Sequence, residues 1–103
     1  MFRLGLALTV SLLAFGPAQG QPKGVPAEGK RIAERWCATC HIVSPEQESG
    51  NADVMTFMAI ARKNADDLGS LATFLVDPHP VMADTSLTQR EIADLVAYIG
   101  SLQ

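Results

Sequence analysis

The segment Cys37-Ala38-Thr39-Cys40-His41 constrains this chain more than any other feature of its 103 residues. The pattern C-x-x-C-H is the attachment signature of a c-type haem. Two thiols three positions apart on one helical turn can each add to a different haem vinyl group, and the imidazole that follows is then carried under the ring. We therefore expect Cys37 and Cys40 to attach one haem c covalently, with His41 as an axial ligand of its iron.

Two other roles for the cysteines remain open at this stage. A redox-active dithiol is expected in a βαβ context, but beyond the first twenty residues the chain has no period-2 apolar run of useful length. A structural zinc site needs about four Cys or His ligands, and beyond the motif the sequence offers only His79. Zinc would also require His41 and Cys40 to bind from adjacent positions, which is sterically awkward. Covalent haem is therefore favoured over a dithiol, a zinc site or a chance pair of cysteines.

The first twenty residues have the composition of a secretory leader. A basic start at residues 1–3 is followed by an apolar run from Leu4 to Phe15 and by small residues at positions 18 and 20. This pattern predicts a signal peptide over residues 1–20, cleaved before Gln21. A retained anchor is the alternative, but an apolar run of about 12 residues is shorter than the about 20 that span a bilayer. We therefore expect one domain over residues 21–103, a periplasmic location and no stable membrane insertion after cleavage.

The charge of the predicted mature chain disfavours a nucleic-acid partner. Seven Lys and Arg residues remain against eleven Asp and Glu residues, which gives a formal charge of −4 with His neutral. Phosphate binding needs a concentrated basic face. The one basic cluster of the mature sequence consists of Lys23, Lys30, Arg31 and Arg35.

Apolar residues at helical spacing predict an all-α domain. The predicted helices cover residues 26–38, 54–62 and 66–76, and a last helix follows the capping-box pattern of Thr88 and Glu91 to residue 101 or 102. Gly29 inside the first helix indicates a place where another helix approaches closely. Because about 83 residues make only a marginal hydrophobic core, a haem buried among these helices would supply part of the missing apolar area.

The order of motifs resembles that of the bacterial class I c-type cytochromes. It runs from C-A-T-C-H, after a Gly-containing helix, through a Met in a Pro-bearing loop to L-T-Q-R-E-I-A-D-L-V-A-Y-I-G-S-L, and covers nearly all of residues 26–102. The resemblance implies a cytochrome c-like bundle of about four short helices around a covalently attached haem. It also implies that Gly29 packs against the last helix near Leu95 and Tyr98.

Two positions depart from the pattern of the resembled family. Ala83 follows Met82, where the family often has Pro. The family also usually supplies a Pro carbonyl that accepts a hydrogen bond from the proximal His. Here only Pro45 is available near the motif, so the carbonyl that pairs with His41 is left open.

The remaining candidates for the sixth iron ligand are Met55, Met58, His79 and Met82. Met55 and Met58 lie in a predicted helix, where a thioether is more often part of the core. His79 lies between two prolines that restrict its reach. Met82 occupies the position where the resembled family has its axial sulfur, and we expect it to be the distal ligand.

The expected function is that of a small monohaem electron carrier and not of an enzyme. No Ser/His/Asp, paired-carboxylate or phosphate-loop constellation is visible in the sequence. We expect a monomer that meets donor and acceptor redox proteins by transient docking at the exposed haem edge. One alternative is a haem protein with a displaceable sixth ligand, acting as a gas binder, sensor or weak peroxidase. Another is a dedicated electron-acceptor subunit of one periplasmic dehydrogenase or oxidase.

Overall fold

The computed structural model describes residues 23–76 and 85–103, and this part of the chain is helical without strands. Its helices are α1 (Pro26–Trp36), α2 (Phe57–Lys63), α3 (Gly69–Val76) and α4 (Gln89–Gly100). The predicted all-α bundle of about four short helices is therefore confirmed. The predicted leader, His79 and Met82 lie outside the described residues. None of the described helices is long and apolar enough to cross a membrane.

Helix α4 is the scaffold of the described fold, because it contacts each of the other three helices. It begins with the predicted capping box: the Thr88 hydroxyl accepts from the Glu91 N–H, and the Glu91 carboxylate accepts from the Thr88 N–H, both at 3.1 Å. These two bonds satisfy backbone donors that the first helical turn leaves free. The buried apolar residues of the described chain are Ala33, Cys37, Val43, Phe57, Ala61, Leu71, Ile92, Leu95, Tyr98 and Ile99.

Helices α1 and α4 cross at Gly29. A Cβ atom at this position would lie 2.0 Å from the carbonyl oxygen of Asp94 and 2.7 Å from Cβ of Tyr98. Gly24, just before α1, is equally close to α4, since its Cβ would lie 1.8 Å from the carbonyl oxygen of Ala93. The predicted close approach at Gly29 is therefore confirmed, and the backbone of Asp94 is the surface that it meets.

The side chain of Asp94 ties the start of α1 to α4. It is 5% exposed, and its Oδ1 accepts a hydrogen bond of 2.7 Å from the Val25 N–H. Val25 is the residue before α1 and has no side chain that can cap the helix. A carboxylate at this end also interacts favourably with the helix dipole. The buried residues of α4 therefore include a carboxylate that the spacing of apolar residues did not indicate.

Three helix boundaries differ from the predicted ones by two or three residues. Helix α2 begins at Phe57 and not at residue 54, because the Thr56 hydroxyl accepts from the Ala59 N–H at 3.1 Å and caps the helix there. Helix α3 begins at Gly69, where the Ser70 hydroxyl donates to the Asp67 carbonyl at 2.9 Å. Helix α1 ends at Trp36, which is 47% exposed. The Arg35 guanidinium lies over the Trp36 ring.

Candidate functional site

The C-x-x-C-H segment forms a hydrogen-bonded turn that continues from the end of α1. The Cys37 N–H donates to the Ala33 carbonyl at 2.9 Å, and the His41 N–H donates to the Cys37 carbonyl at 2.8 Å. Both cysteines are free thiols, with Cys37 buried and Cys40 exposed. One turn of backbone thus carries both thiols and the imidazole, which is the arrangement that the spacing predicts.

The environment of Cys37 suits a sulfur that carries no charge. The pKa of the Cys37 thiol is raised to about 11, mainly by burial and to a smaller extent by the neighbouring Cys40. Desolvation disfavours the thiolate, so Cys37 is a neutral thiol at physiological pH. A thioether has no proton to lose, and its formation at Cys37 would place an uncharged sulfur in this buried position.

The imidazole of His41 is oriented by a backbone carbonyl from the next segment of the chain. Its Nδ1 lies 2.6 Å from the oxygen of Met55. A carbonyl can only accept a hydrogen bond, so Nδ1 carries the proton, and in the neutral ring the lone pair is then on Nε2. Histidines that bind metals commonly donate their other ring N–H in this way, which fixes the tautomer and the ring plane. The carbonyl that the sequence left open is therefore that of Met55 and not that of Pro45.

The aromatic ring of Phe57 packs beside the imidazole of His41 and limits its movement. The ring centres of His41 and Phe57 are 5.3 Å apart, with a tilt of 56° between the planes. Phe57 is 5% exposed and is the first residue of α2. Its N–H donates to the Ile42 carbonyl at 2.9 Å, which holds the start of α2 against the chain that leaves the motif.

Cys37 and His41 line a cleft of about 610 Å³ between the motif and the helices α2, α3 and α4. This volume lies in the range of about 300–1,000 Å³ that is typical of small-molecule sites. Most of the lining side chains are apolar. They are Cys37, Val54, Met55, Phe57, Ile60, Leu71, Phe74, Leu75 and Ile99. A large planar apolar group fits such a wall, because the wall removes its faces from water.

The polar side chains of the cleft wall, besides His41, are Asp53, Lys63, Asn64 and Ser70. Among the described residues that line the cleft, Lys63 is the one cation. Asn64 uses its amide nitrogen to donate to the Ile60 carbonyl at 2.8 Å, which closes the end of α2. The polar part of the described cleft wall thus combines one cation, one carboxylate and two neutral polar side chains beside the imidazole of His41.

The residues present fit a covalently bound haem. The turn supplies two thiols, His41 presents a lone pair on Nε2, and the adjoining wall is apolar. In the described residues, 23–76 and 85–103, no three His, Cys, Asp or Glu side chains come together as a metal site. The donor set here is thus a single oriented imidazole beside an apolar cleft, which suits an iron already held by a macrocycle.

The other ligand candidates have different positions. Met55 was predicted to be core filler on a helix, and this is wrong: it precedes α2, lines the cleft and is 43% exposed. Met58 lies on α2 and packs, partly buried, against the core, as predicted. His79 and Met82 belong to residues 77–84, which the structure does not describe.

Comparison with known proteins agrees with this site. The family model described as Cytochrome c matches residues 26–103, a range that includes the motif, the cleft and all the described helices. Cytochrome c-552 of Bradyrhizobium diazoefficiens is 45% identical over 75 residues, which cover 73% of this chain and 72% of that protein. No solved structure matches the chain significantly.

Proposed function

The chain belongs to the cytochrome c family and carries covalently attached haem c, and we propose that it is a periplasmic monohaem carrier of single electrons. In this proposal Cys37 and Cys40 form the two thioethers, His41 is the proximal iron ligand and Met82 is the distal one. The sequence contains a single C-x-x-C-H and only these two cysteines, which supports one haem per chain.

The observation that carries the proposal is the 2.6 Å hydrogen bond from His41 Nδ1 to the Met55 carbonyl. It fixes the tautomer in which Nε2 is the free donor atom, on a residue that follows directly after the second thiol. The same histidine lines an apolar cleft of about 610 Å³. The residues proposed to attach the haem, to bind its iron and to bury it thus lie in one connected region.

Each group has a separate role in electron transfer. Haem iron, when bound, supplies the one-electron redox couple, while the protein supplies orientation and electrostatics. The thioethers of Cys37 and Cys40 keep the group on the chain through both oxidation states. The apolar wall excludes water, which limits solvent reorganisation when the charge changes. If His41 and Met82 both bound the iron, no position would be left for a substrate, which supports a carrier and not an enzyme.

Assignment of Met82 is supported by its place in the sequence, between the prolines of residues 77–84 and the start of α4. Met58 is less suited, because its side chain packs against the core. Met55 is less suited because its own carbonyl lies at Nδ1 of His41, on the side of the imidazole remote from Nε2. A thioether ligand opposite an imidazole is also known to raise the reduction potential.

Location and partners follow from the leader and from the charge. We propose that residues 1–20 direct export and are removed, and that the mature chain acts as a monomer. Donor and acceptor proteins would dock transiently at the edge of the haem cleft, where the electron has the shortest path. Interfaces of this kind are small and depend on charge for the rate of encounter.

Tryptic digestion of the denatured holoprotein tests the attachment residues. Cleavage after Arg35 and Arg62 releases peptide 36–62, which contains the whole motif. We expect this peptide to carry the haem mass and colour after acid-acetone extraction. Replacing both Cys37 and Cys40 by Ser should abolish the coloured peptide. Complete transfer of the wild-type colour into the organic phase, or onto another peptide, would contradict the proposal.

A further inference from the structure

The side chain of Gln47 is bonded entirely to backbone groups around the haem motif. Its Oε1 accepts from the Val43 N–H at 2.9 Å, and its Nε2 lies 2.9 Å from the His41 carbonyl and 3.1 Å from the Ala38 carbonyl. A third carbonyl, that of Ser49, is 2.9 Å from the same nitrogen. Only this orientation of the amide is consistent, since a flipped one would put oxygen against three acceptors.

Gln47 donates to two carbonyls of the motif that accept no backbone hydrogen bond in the described structure. The Cys40 carbonyl accepts from the Asn51 N–H at 3.0 Å, and the Ile42 carbonyl accepts from the Phe57 N–H at 2.9 Å. The carbonyls of Ala38 and His41 instead accept from Gln47. Backbone carbonyls withdrawn from water need hydrogen-bond donors. Because the chain leaves helical geometry here, no helical N–H group is in place, and the Gln47 amide supplies the donors instead.

Two restraints therefore act on His41 from different directions. The Met55 carbonyl holds Nδ1 of the ring, while the Gln47 amide holds the peptide group that follows the same residue. With the ring held alone, the backbone of His41 could rotate and carry Nε2 with it. With both ends held, the torsions between them have one arrangement. Val43, which Gln47 also binds, is itself held by the Tyr98 hydroxyl of α4.

We propose that Gln47 is a positioning residue for the proximal ligand: its amide fixes the backbone of His41 so that Nε2 points at the haem iron. This inference rests on the proposed ligation by His41. Gln47 acts through His41, and no contact between its amide and the haem is required.

The test compares holoprotein variants of Gln47 by proton NMR. Gln47→Glu keeps the acceptor for Val43 but loses the donors to Ala38 and His41, and Gln47→Met loses both functions at similar size. Two signals report on His41 itself: the solvent exchange of its Nδ1 proton and the shifts of the haem methyl groups in the oxidised protein. We expect both variants to exchange this proton roughly tenfold faster, because losing the bond from Gln47 to the His41 carbonyl, worth about 1 kcal/mol, loosens the backbone that holds Nδ1 against Met55. The methyl shifts should also change. Glu48→Gln, an exposed neighbour in the same loop, should change neither.

A second control separates positioning from loop stability. Val43→Ala removes core volume from the same loop, where Val43 is 1% exposed, and leaves its backbone bond to Gln47 in place. We expect Val43→Ala to lower the unfolding temperature without moving the His41 signals. The positioning role is wrong if Gln47→Met and Val43→Ala give the same result. That result can be that both variants keep the wild-type His41 signals or that both fail to retain haem. A wild-type spectrum without a haem-shifted His41 imidazole would instead contradict the proposed ligation.

Discussion

His41 donates its Nδ1 proton to the backbone oxygen of Met55 over 2.6 Å. The two residues are 14 positions apart, and the loop between them is held to the motif by the side chain of Gln47. Because the acceptor belongs to the backbone, the bond does not depend on the Met55 side chain. The loop thus fixes the orientation of the imidazole, while the identity of residue 55 matters little to it.

Replacing Met82 tests the sixth ligand. We expect Met82→Ala to retain its haem but to have a lower reduction potential, because a thioether ligand raises it. The weak sulfur-to-iron charge-transfer band of the oxidised form should disappear, and added carbon monoxide or cyanide should bind readily. Visible spectra and a redox titration measure these changes.

Matched controls for this substitution are Met55→Ala and Met58→Ala, which should keep the wild-type charge-transfer band. An unchanged spectrum and potential in Met82→Ala would rule out Met82 and make His79 or Met58 the candidate. It would also favour a haem protein with a displaceable ligand over an electron carrier.

Lys63 is expected to raise the reduction potential of the haem. In the part of the cleft wall that the structure describes it is the one cation, and a nearby positive charge disfavours the oxidised, more positive state of the iron. Lys63→Gln should therefore lower the potential, by roughly tens of millivolts for an exposed charge. Arg62→Gln makes the same change of charge on α2 at a residue that does not line the cleft. Equal potentials in the two variants would remove Lys63 from the haem environment.

The crossing of α1 and α4 is expected not to tolerate a methyl group at Gly29. Gly29→Ala places Cβ at 2.0 Å from the Asp94 carbonyl oxygen, so the helices must separate. We expect a loss of about 1–3 kcal/mol in the free energy of unfolding, despite a gain in helix propensity of up to about 1 kcal/mol. Gly69→Ala is the control, since its nearest new contact is 3.6 Å. Denaturant unfolding should find Gly69→Ala at least as stable as wild type; equal stability of Gly29→Ala would show that the crossing is not tight.

Tyr98 is expected to make the stability of the chain sensitive to alkaline pH. Its hydroxyl donates to the Val43 carbonyl at 2.5 Å. Burial raises the pKa of the Tyr98 phenol, and the Glu34 and Glu46 carboxylates raise it further. In the unfolded chain this group ionises near its usual value of about 10, so its contribution is complete below that pH and is lost as the pH rises through the folded value.

Tyr98→Phe should therefore be less stable than wild type by about 1–2 kcal/mol at neutral pH, because the buried Val43 carbonyl loses its donor. The difference should narrow above about pH 10, where wild type begins to lose stability and the variant does not titrate. Denaturant unfolding of reduced protein across this range measures both effects. A constant difference would mean that the phenol does not titrate with unfolding.

Electron transfer is expected to depend on ionic strength in the manner of an acidic protein. Two cations of the basic cluster lie near carboxylates of α1: Arg31 is 3.3 Å from Glu28, and Lys30 is 3.9 Å from Glu34. The predicted mature charge of −4 therefore dominates over that cluster. Rates with a cationic cobalt complex should fall as salt is added, and rates with ferricyanide should rise. Rates that are flat with both reagents would exclude electrostatic steering.

The sequence by itself determined the chemistry and the class of fold. Covalent attachment by two thiols and ligation by an imidazole need only five consecutive residues, so the spacing of Cys37, Cys40 and His41 predicts both without the rest of the chain. The Thr88 capping box and the apolar stripe of α4 are equally local, because their partners lie within one or two helical turns. Gly29 predicted the close approach of another helix, because glycine inside a helix lowers helix stability and is expected where such a contact requires it.

Only the tertiary structure decided which distant groups meet. The acceptor for His41 is a main-chain carbonyl, and every residue has one, so nothing in the sequence marked Met55. The amide of Gln47 stood in a polar run that resembles any exposed loop, and Asp94 interrupted the apolar face of its helix. In each case the partner is a backbone group brought close by chain folding. Side-chain patterns carry no information about such groups. The loop after the motif brings Met55 and Gln47 to their partners, and the packing of α4 against α1 brings Asp94 to Val25.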